Sequence, residues 1–261
     1  SYIIIWTTTP WTIPVNRALA YSDKIKYSVI KIEQETSDFI NKNIIIASEL
    51  MNKVFEECGI KYFKVLKEFN GSDLKNSVCS HPLKNMGYDH SVPLFEGRFV
   101  NLEQGTGIVH MAPSHGPDDF NLCLKNNIKA TNTINDGGVY TDEVTFFSGT
   151  HIFKADDKVI EKLSEHKSLL GHNKLRHSFP HSWRSKAPLV YRATSQWFIS
   201  MEKKDLRKKA LKAIDETIFY PERGRARIRS MVETRPDWCV SRQRIWGVPL
   251  PLFVSKKTKE P

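Results

Sequence analysis

Over the first two thirds of the chain, apolar and polar residues change places in short runs, and only at intervals does the spacing lengthen to that of a helix. Tyr2-Ile-Ile-Ile-Trp6 reads as a strand, and the partial alternation across 25–33 predicts another. A turn at Ser37-Asp38 leads to Ile44-Ile45-Ile46. Apolar residues then recur by threes and fours at Ala47, Leu50, Met51, Val54, Phe55 and Cys58, and Gly59 ends the series. That spacing predicts an amphipathic helix with its stripe in the core. Residues 62–69, 92–100 and 107–111 are further strand candidates, and Asn135-Asp-Gly-Gly-Val-Tyr140 carries a hairpin-turn signal. Helices are predicted over 117–126, from Asp156 onward with Val159, Ile160, Leu163 and Leu170 inward, and over 202–216 with Leu206, Ala210, Leu211 and Ile214 on one side. Short strands parted by Gly, Asn and Pro turns predict an α+β fold around a closed or strongly curved, β-barrel-like sheet decorated with helices. The expected organisation is a core over 1–170, a basic helical connecting segment over 171–235, and a last piece over 236–261.

Charge sharpens that division. The net charge is +10, but residues 1–170 hold 18 Lys and Arg against 21 Asp and Glu, whereas residues 171–261 hold 21 against 8. A near-neutral body with a strongly basic final third predicts a polyanionic partner held by that third, nucleic acid before any other. The helix at 202–216 carries Lys203, Lys204, Arg207, Lys208, Lys209 and Lys212, and Arg223-Gly-Arg-Ala-Arg-Ile-Arg229 adds four cations. No apolar run approaches the roughly 20 residues that span a bilayer, so no membrane partner is expected. The four cysteines (Cys58, Cys79, Cys123, Cys239) are scattered without a Cys-x-x-Cys pair, which argues against a disulfide framework and a cysteine zinc knuckle and favours reduced, cytoplasmic thiols. The chain opens at Ser1 in what reads as mid-strand, so we expect a piece excised from a longer protein.

Two stretches carry candidate chemistry. In Thr7-Thr-Thr-Pro-Trp-Thr-Ile-Pro14 two prolines forbid a helix and push the residues before them to extended geometry, leaving a loop rich in hydroxyls and amide donors. Such a loop suits a polar ligand, although threonine is equally a strand former. In Gly105-Thr-Gly-Ile-Val-His-Met-Ala-Pro-Ser-His-Gly-Pro-Asp-Asp119 a strand runs through a Pro/Gly/Ser/His loop into a helix that Pro117 opens. His110 then stands at a strand end and Asp119 at a helix start, where carboxylates face the positive end of the dipole. Asp118 is the expected helix cap. Metal binding by His110, His115, Asp118 and Asp119 is disfavoured, because histidines five apart across such a loop are not standard zincin spacing.

Trp6-Thr-Thr-Thr-Pro-Trp-Thr-Ile-Pro14, the stretch 105–119, the region 177–201 and Pro236-Asp-Trp-Cys-Val-Ser-Arg-Gln-Arg-Ile-Trp-Gly-Val-Pro249 occur together in order. The set resembles isoleucyl-tRNA synthetases, in their editing insertion (the first connective peptide) and the return from it toward the class I catalytic domain, here 236–261. The Thr-Thr-Thr-Pro loop and Val109-His110-x-Ala-Pro113 favour the isoleucyl branch over the valyl and leucyl ones. The ligase signatures His-Ile-Gly-His and Lys-Met-Ser-Lys-Ser are absent, so the piece is expected neither to activate amino acids nor to charge tRNA. Where some relatives carry a Cys pair suited to zinc this chain has Ser182 and Ser185, poor zinc ligands, so neither metal nor cofactor is expected.

The resemblance implies a proofreading hydrolase acting on the 3′ acceptor end of tRNA(Ile) that carries valine in error, with the remainder of the synthetase chain as the other partner. One methylene in an apolar pocket is worth only about 1–3 kcal/mol, the isoleucine–valine pair being the standard example, so a second hydrolytic sieve is needed. The resemblance assigns Asp119 to the α-ammonium and His110 to the wall of the amino-acid pocket. Thr7, Thr8 and Thr9 would supply hydroxyl and amide donors to the ester and its oxyanion, and Thr12 would stand behind them. Gly107 and Asp118 would adjoin the substrate. Lys208, Lys209, Arg225 and Arg227 would meet tRNA phosphates, and Trp197 or Phe198 could stack on a terminal base. Trp238 and Trp246 would belong to the returning segment. The rival reading is a non-catalytic tRNA- or RNA-binding module, which shares the basic third but has no need for the Thr loop and Asp119 together.

Overall fold

The computed structural model describes residues 1–242 and 247–258, so Trp246 lies outside the described residues. The chain divides into two compact units, Ser1–Ala193 and Thr194–Pro261. In the first unit the elements run β1 (Tyr2–Ile3), β2 (Ala18–Tyr21), β3 (Lys26–Ile32), β4 (Asn43–Ala47), α1 (Met51–Glu57), β5 (Phe63–Asn70), β6 (Val78–Ser80), β7 (Ser91–Glu96), β8 (Val109–Met111), α2 (Pro117–Lys125) and α3 (Asp156–Glu165), with a 3₁₀ turn over Pro10–Val15. In the second unit β9 (Phe198–Ile199), α4 (Leu206–Glu216), α5 (Arg223–Glu233) and β10 (Trp238–Cys239) follow.

The strands of the first unit form two open four-stranded sheets, β1-β4-β3-β5 and β6-β7-β2-β8, and β9 and β10 pair in the second unit, so the expected barrel-like closure does not occur among the described residues. The reason lies in the connections. Antiparallel β3 pairs with β4 and β5 in one sheet, while β2 lies between parallel β7 and antiparallel β8 in the other. Each sheet therefore ends in strands with a single partner. The two share one apolar cluster, in which Ala18, Leu19, Ala20 and Tyr21 of β2 meet Tyr27, Ala47, Leu50 and Met111. Burial of the larger apolar side chains here, Leu19, Leu50 and Met111, is worth about 1.5–3 kcal/mol each. A second cluster seats Trp11, Ile13 and Val15 of the 3₁₀ turn against Tyr140, Phe147, Ile152, Val159 and Leu163. The loop that carries the threonines is thus nailed down by its apolar side.

The sheets come together at Gly107. Its φ of +75° is left-handed, and a Cβ there would lie 2.3 Å from the Ala47 Cβ. The Gly107 carbonyl accepts from the buried Tyr27 hydroxyl at 2.8 Å, and Ala47 N donates to Thr106 O at 3.0 Å. Glycine is required because β8 approaches the end of β4 closer than any side chain permits.

In the second unit α4 starts at Leu206, later than the expected 202, because Lys204 and Asp205 adopt positive φ and break the helix there. Arg207 reaches across to the last carbonyls of α5, donating to Val232 O at 2.7 Å and to Glu233 O at 3.0 Å. A cation at a helix C-terminus is favourable on charge as well as on hydrogen bonding.

Gly107→Ala should destabilise the first unit by about 1–3 kcal/mol through overpacking and strained φ. Tyr27→Phe, which leaves the Gly107 carbonyl buried without its donor, should cost about 1–3 kcal/mol. Urea denaturation measures both, and midpoints equal to the parent protein's would refute this account of the junction.

Candidate active site

Two prolines leave the 3₁₀ turn over Pro10–Val15 short of main-chain donors, so side chains complete it. Thr7 Oγ1 accepts from Thr9 N at 3.0 Å and lies 3.2 Å from the Thr9 hydroxyl. Thr9 O accepts from both the amide and the hydroxyl of Thr12, each at 2.9 Å. Trp11 N donates to Asp156 Oδ1 at 2.9 Å, and Trp11 O accepts from the Tyr140 hydroxyl. Thr8 is exposed at the outer lip of the loop.

His110 comes to this loop on β8, paired with Leu19 of β2. Its Nε2 is 2.9 Å from Thr12 Oγ1, and its Nδ1 is 3.3 Å from the side-chain nitrogen of Asn16. The single hydroxyl proton of Thr12 is already given to Thr9 O, so Thr12 accepts from Nε2–H. Asn16 divides its two amide protons between Ala18 O, at 3.0 Å, and Nδ1. The ring is therefore neutral, with its proton on Nε2 and its acceptor covered. Burial lowers its pKa to about 4, with the neighbouring His115 adding to the effect. A histidine in this state is a poor general base and a well-oriented wall.

Asp119 sits two residues past the start of α2, but it reaches back toward β8. Its Oδ1 accepts from Ala112 N at 2.7 Å, directly beyond the strand end that carries His110. Gly116 makes room for it, since a Cβ at that position would stand 2.2 Å from Asp119 Oδ2. Burial raises the carboxyl pKa against the lowering effect of the backbone hydrogen bonds. The environment thus lacks a positive charge for this carboxylate, and a cationic ligand would supply it.

Not every expected residue joins this arrangement. Gly107, two residues before β8, is buried against Ala47 and serves packing. Asp118 is exposed, the N-cap position belongs to Gly116, and no side chain caps the helix, so the expected cap is absent. Thr12, by contrast, does join it, buried behind the loop and bonded to Thr9 and His110. His115 lies 4.9 Å, edge to face, from Trp11 and bonds Tyr191 O and the Thr133 hydroxyl at 3.0 and 2.8 Å. Among the described residues no group of three or more His, Cys, Asp or Glu is placed to hold a metal ion.

In the second unit Lys208, Lys209 and Arg227 are exposed, whereas Arg225 is partly buried. Its guanidinium donates to Thr217 O at 3.1 Å and lies over the Phe219 ring, which makes it a brace between α5 and the turn before it. Phe198 is exposed and Trp197 partly buried at the β9–β10 ribbon. Trp238 is the half-exposed first residue of β10. No helix among the described residues is long and apolar enough to cross a membrane.

Sequence reasoning passed over Asn16, Asp156 and Tyr140. Only Asn16 left a signal, as a buried-type polar residue next to the loop; the other two reach the loop from about 130 residues or more away along the chain.

Residues 13–261 match the family model described as tRNA synthetases class I (I, L, M and V). The isoleucine–tRNA ligase of Pelagibacter ubique (strain HTCC1062) is 62% identical over 99% of this chain, and that of Gluconobacter oxydans (strain 621H) is 44% identical over 98%. The chain spans 28% of the length of either relative. Among solved structures, the one described as GlLeuRS-CP1 superposes with a TM-score of 0.53 at 15% identity, covering 67% of this chain and 84% of the other, a likeness of fold.

The raised pKa of Asp119 has a definite sign in stability. The folded protein holds this proton more tightly than the unfolded chain does, so the burial penalty is absent below the unfolded value of 3.8. It grows as pH rises through the window up to the folded pKa and is constant above it. Asp119→Asn keeps an acceptor for Ala112 N and removes the charge, so it should gain stability relative to the parent protein across that window. Urea midpoints taken from about pH 3 to about pH 7 follow the difference. A difference that moves the other way would mean that a cationic group in the protein already neutralises Asp119.

Proposed function

We propose, from the premise that this chain belongs to the class I tRNA synthetase family, that it carries out hydrolytic editing of misacylated tRNA, removing valine from tRNA(Ile) in the cytoplasm. The observation that carries this reading is the pairing of a hydroxyl-lined loop with a partly buried carboxylate short of positive charge, linked through the strand that carries a neutral histidine. Thr9 bonds Thr12, Thr12 bonds His110, and Asp119 is anchored to Ala112, two residues beyond that histidine.

An aminoacyl ester presents an α-ammonium, a carbonyl and a ribose. Asp119 Oδ1 is occupied by Ala112 N, which leaves Oδ2 for the ammonium. Charge-assisted contact there restores the carboxylate to its ionised form. The Thr7 and Thr9 hydroxyls, 3.2 Å apart, share one proton between them, so the other is free to donate to the oxyanion formed when water adds to the carbonyl carbon. The ester C–O bond then breaks, and the water's proton ends on the ribose oxygen that leaves. His110 is not the base, since its Nε2 already bears a proton and its Nδ1 is covered by Asn16. The neighbouring ribose hydroxyl of the substrate takes that part. His110 acts as the wall that admits valine and crowds out the longer isoleucine side chain. Exposed Lys208, Lys209 and Arg227 suit phosphate contact, with the salt dependence such contacts bring.

The full-length protein should release valine from Val-tRNA(Ile) and leave Ile-tRNA(Ile) intact. Asp119→Asn should slow the valyl reaction about 100-fold, the size expected when one of two desolvated opposite charges is neutralised. His110→Ala should open the isoleucyl ester to hydrolysis. Acid-gel or filter assays of the remaining aminoacyl-tRNA read all three, and tRNA binding without loss of either amino acid would establish the non-catalytic alternative instead.

A further inference from the structure

The network around His110 depends on the backbone at residues 13–16, and that backbone is held from its other side by two more histidines. Ile13 O accepts from Asn16 N at 3.0 Å and from His81 Nε2 at 2.9 Å, while Asn16 O accepts from His90 Nε2 at 2.9 Å. The two rings stand 5.2 Å apart, and His81 stacks on Tyr88 at 4.8 Å. His81 is buried, and its Nδ1 accepts from Leu83 N at 3.1 Å, so its ring belongs to the core. His90 is different. It is partly exposed, it precedes β7 directly, and its one hydrogen bond among the described residues is the one to Asn16 O.

The Asn16–His110 contact, at 3.3 Å, is longer than the other side-chain bonds that tie Thr9, Thr12, Asn16 and His110 together and so has the least slack. Pro14, two residues before Asn16, has no N–H, and Asn16 N already closes the turn onto Ile13 O. The peptide unit that carries Asn16 O is held at both ends, by Arg17 N donating to Met111 O at 2.9 Å and by His90 at the carbonyl, so His90 is the restraint on the carbonyl side. A small rotation would carry the Asn16 amide out of reach of Nδ1. The ring would then be held by the Thr12 bond alone, about which it can turn, and a rotation of the Thr12 hydroxyl would let the proton pass to the other nitrogen.

We propose that His90 is a positioning residue of the site: by donating Nε2–H to the Asn16 carbonyl, it holds the Asn16 amide against His110 and keeps that ring in one tautomer and one orientation. The inference rests on the reading of His110 as the wall that gauges the amino acid. Its consequence is that the choice between valine and isoleucine is tuned by a residue that touches neither the substrate nor His110.

The test uses the full-length protein with His90→Leu, which removes the donor, and His90→Gln, whose side-chain amide restores one at similar reach. Imidazole ¹⁵N shifts of His110 report the tautomer without any substrate, and hydrolysis of Val-tRNA(Ile) and Ile-tRNA(Ile) reports selectivity. His90→Leu should give a mixture of His110 tautomers. It should also narrow the valyl-to-isoleucyl rate ratio about tenfold to a hundredfold, the scale expected of a misplacement near 1 Å, and His90→Gln should restore both. Unchanged ¹⁵N shifts in His90→Leu would overturn the proposal. So would loss of the thermal transition in His90→Leu, or its retention with no rescue by glutamine, since either makes His90 a packing residue. If the parent protein hydrolyses neither ester, the editing reading falls, while the ¹⁵N shifts still decide whether His90 fixes the His110 ring.

Discussion

The hydrogen bonds that clamp the His110 ring between Thr12 and Asn16 are the constraint on which the site depends. They join a turn near the start of the chain to a strand almost a hundred residues later, and they do so with every donor matched to one acceptor. A half-satisfied version would be costly, because polar groups buried without partners lose more than their hydrogen bond is worth. Satisfied, the network fixes a neutral ring at the exit of β8. The apolar side of the same turn, Trp11, Ile13 and Val15, is locked into a separate core cluster, so the threonine hydroxyls ride on a rigid base.

Electrostatics divides the labour between the two titratable groups. Burial acts on both, pushing His110 toward its neutral form and Asp119 toward its protonated form. On the proposed reading the neutral form suits His110, since a wall needs shape and not charge. For the carboxylate, burial is a ground-state penalty that an ammonium ligand would relieve, so affinity for a cation is built into the desolvation itself. On the proposed reading that ligand is the α-ammonium of an aminoacyl ester.

Local chemistry in the sequence was enough for much of this. The helix within the apolar series at 47–58, the Pro-opened helix at 117 and the Asn-Asp-Gly-Gly turn at 135–138 follow from propensities that act over a few residues, whereas the Thr/Pro stretch, expected to be extended, winds into a 3₁₀ turn over Pro10–Val15 once its apolar side is packed. The order of the motifs was enough for the family, and the types of residue in them named Thr7–Thr9, His110 and Asp119 as candidates. The charge division between the first 170 residues and the rest is likewise a property of composition.

Other features belong to the tertiary structure alone. Strand β2, Ala18–Tyr21, is buried on both faces and shows no alternation, so periodicity could not reveal it or place it between β7 and β8. Open sheets and a closed barrel draw on the same short strands, and only the pairing partners separate them. The state of His110 is set by Thr12 and Asn16, the loop is braced by Asp156 and Tyr140, and Gly107 turns out to serve the sheet junction. Each of these is a contact between residues remote in the chain. A sequence names the groups able to make such contacts, but which of them meet is decided by how the sheets and turns pack.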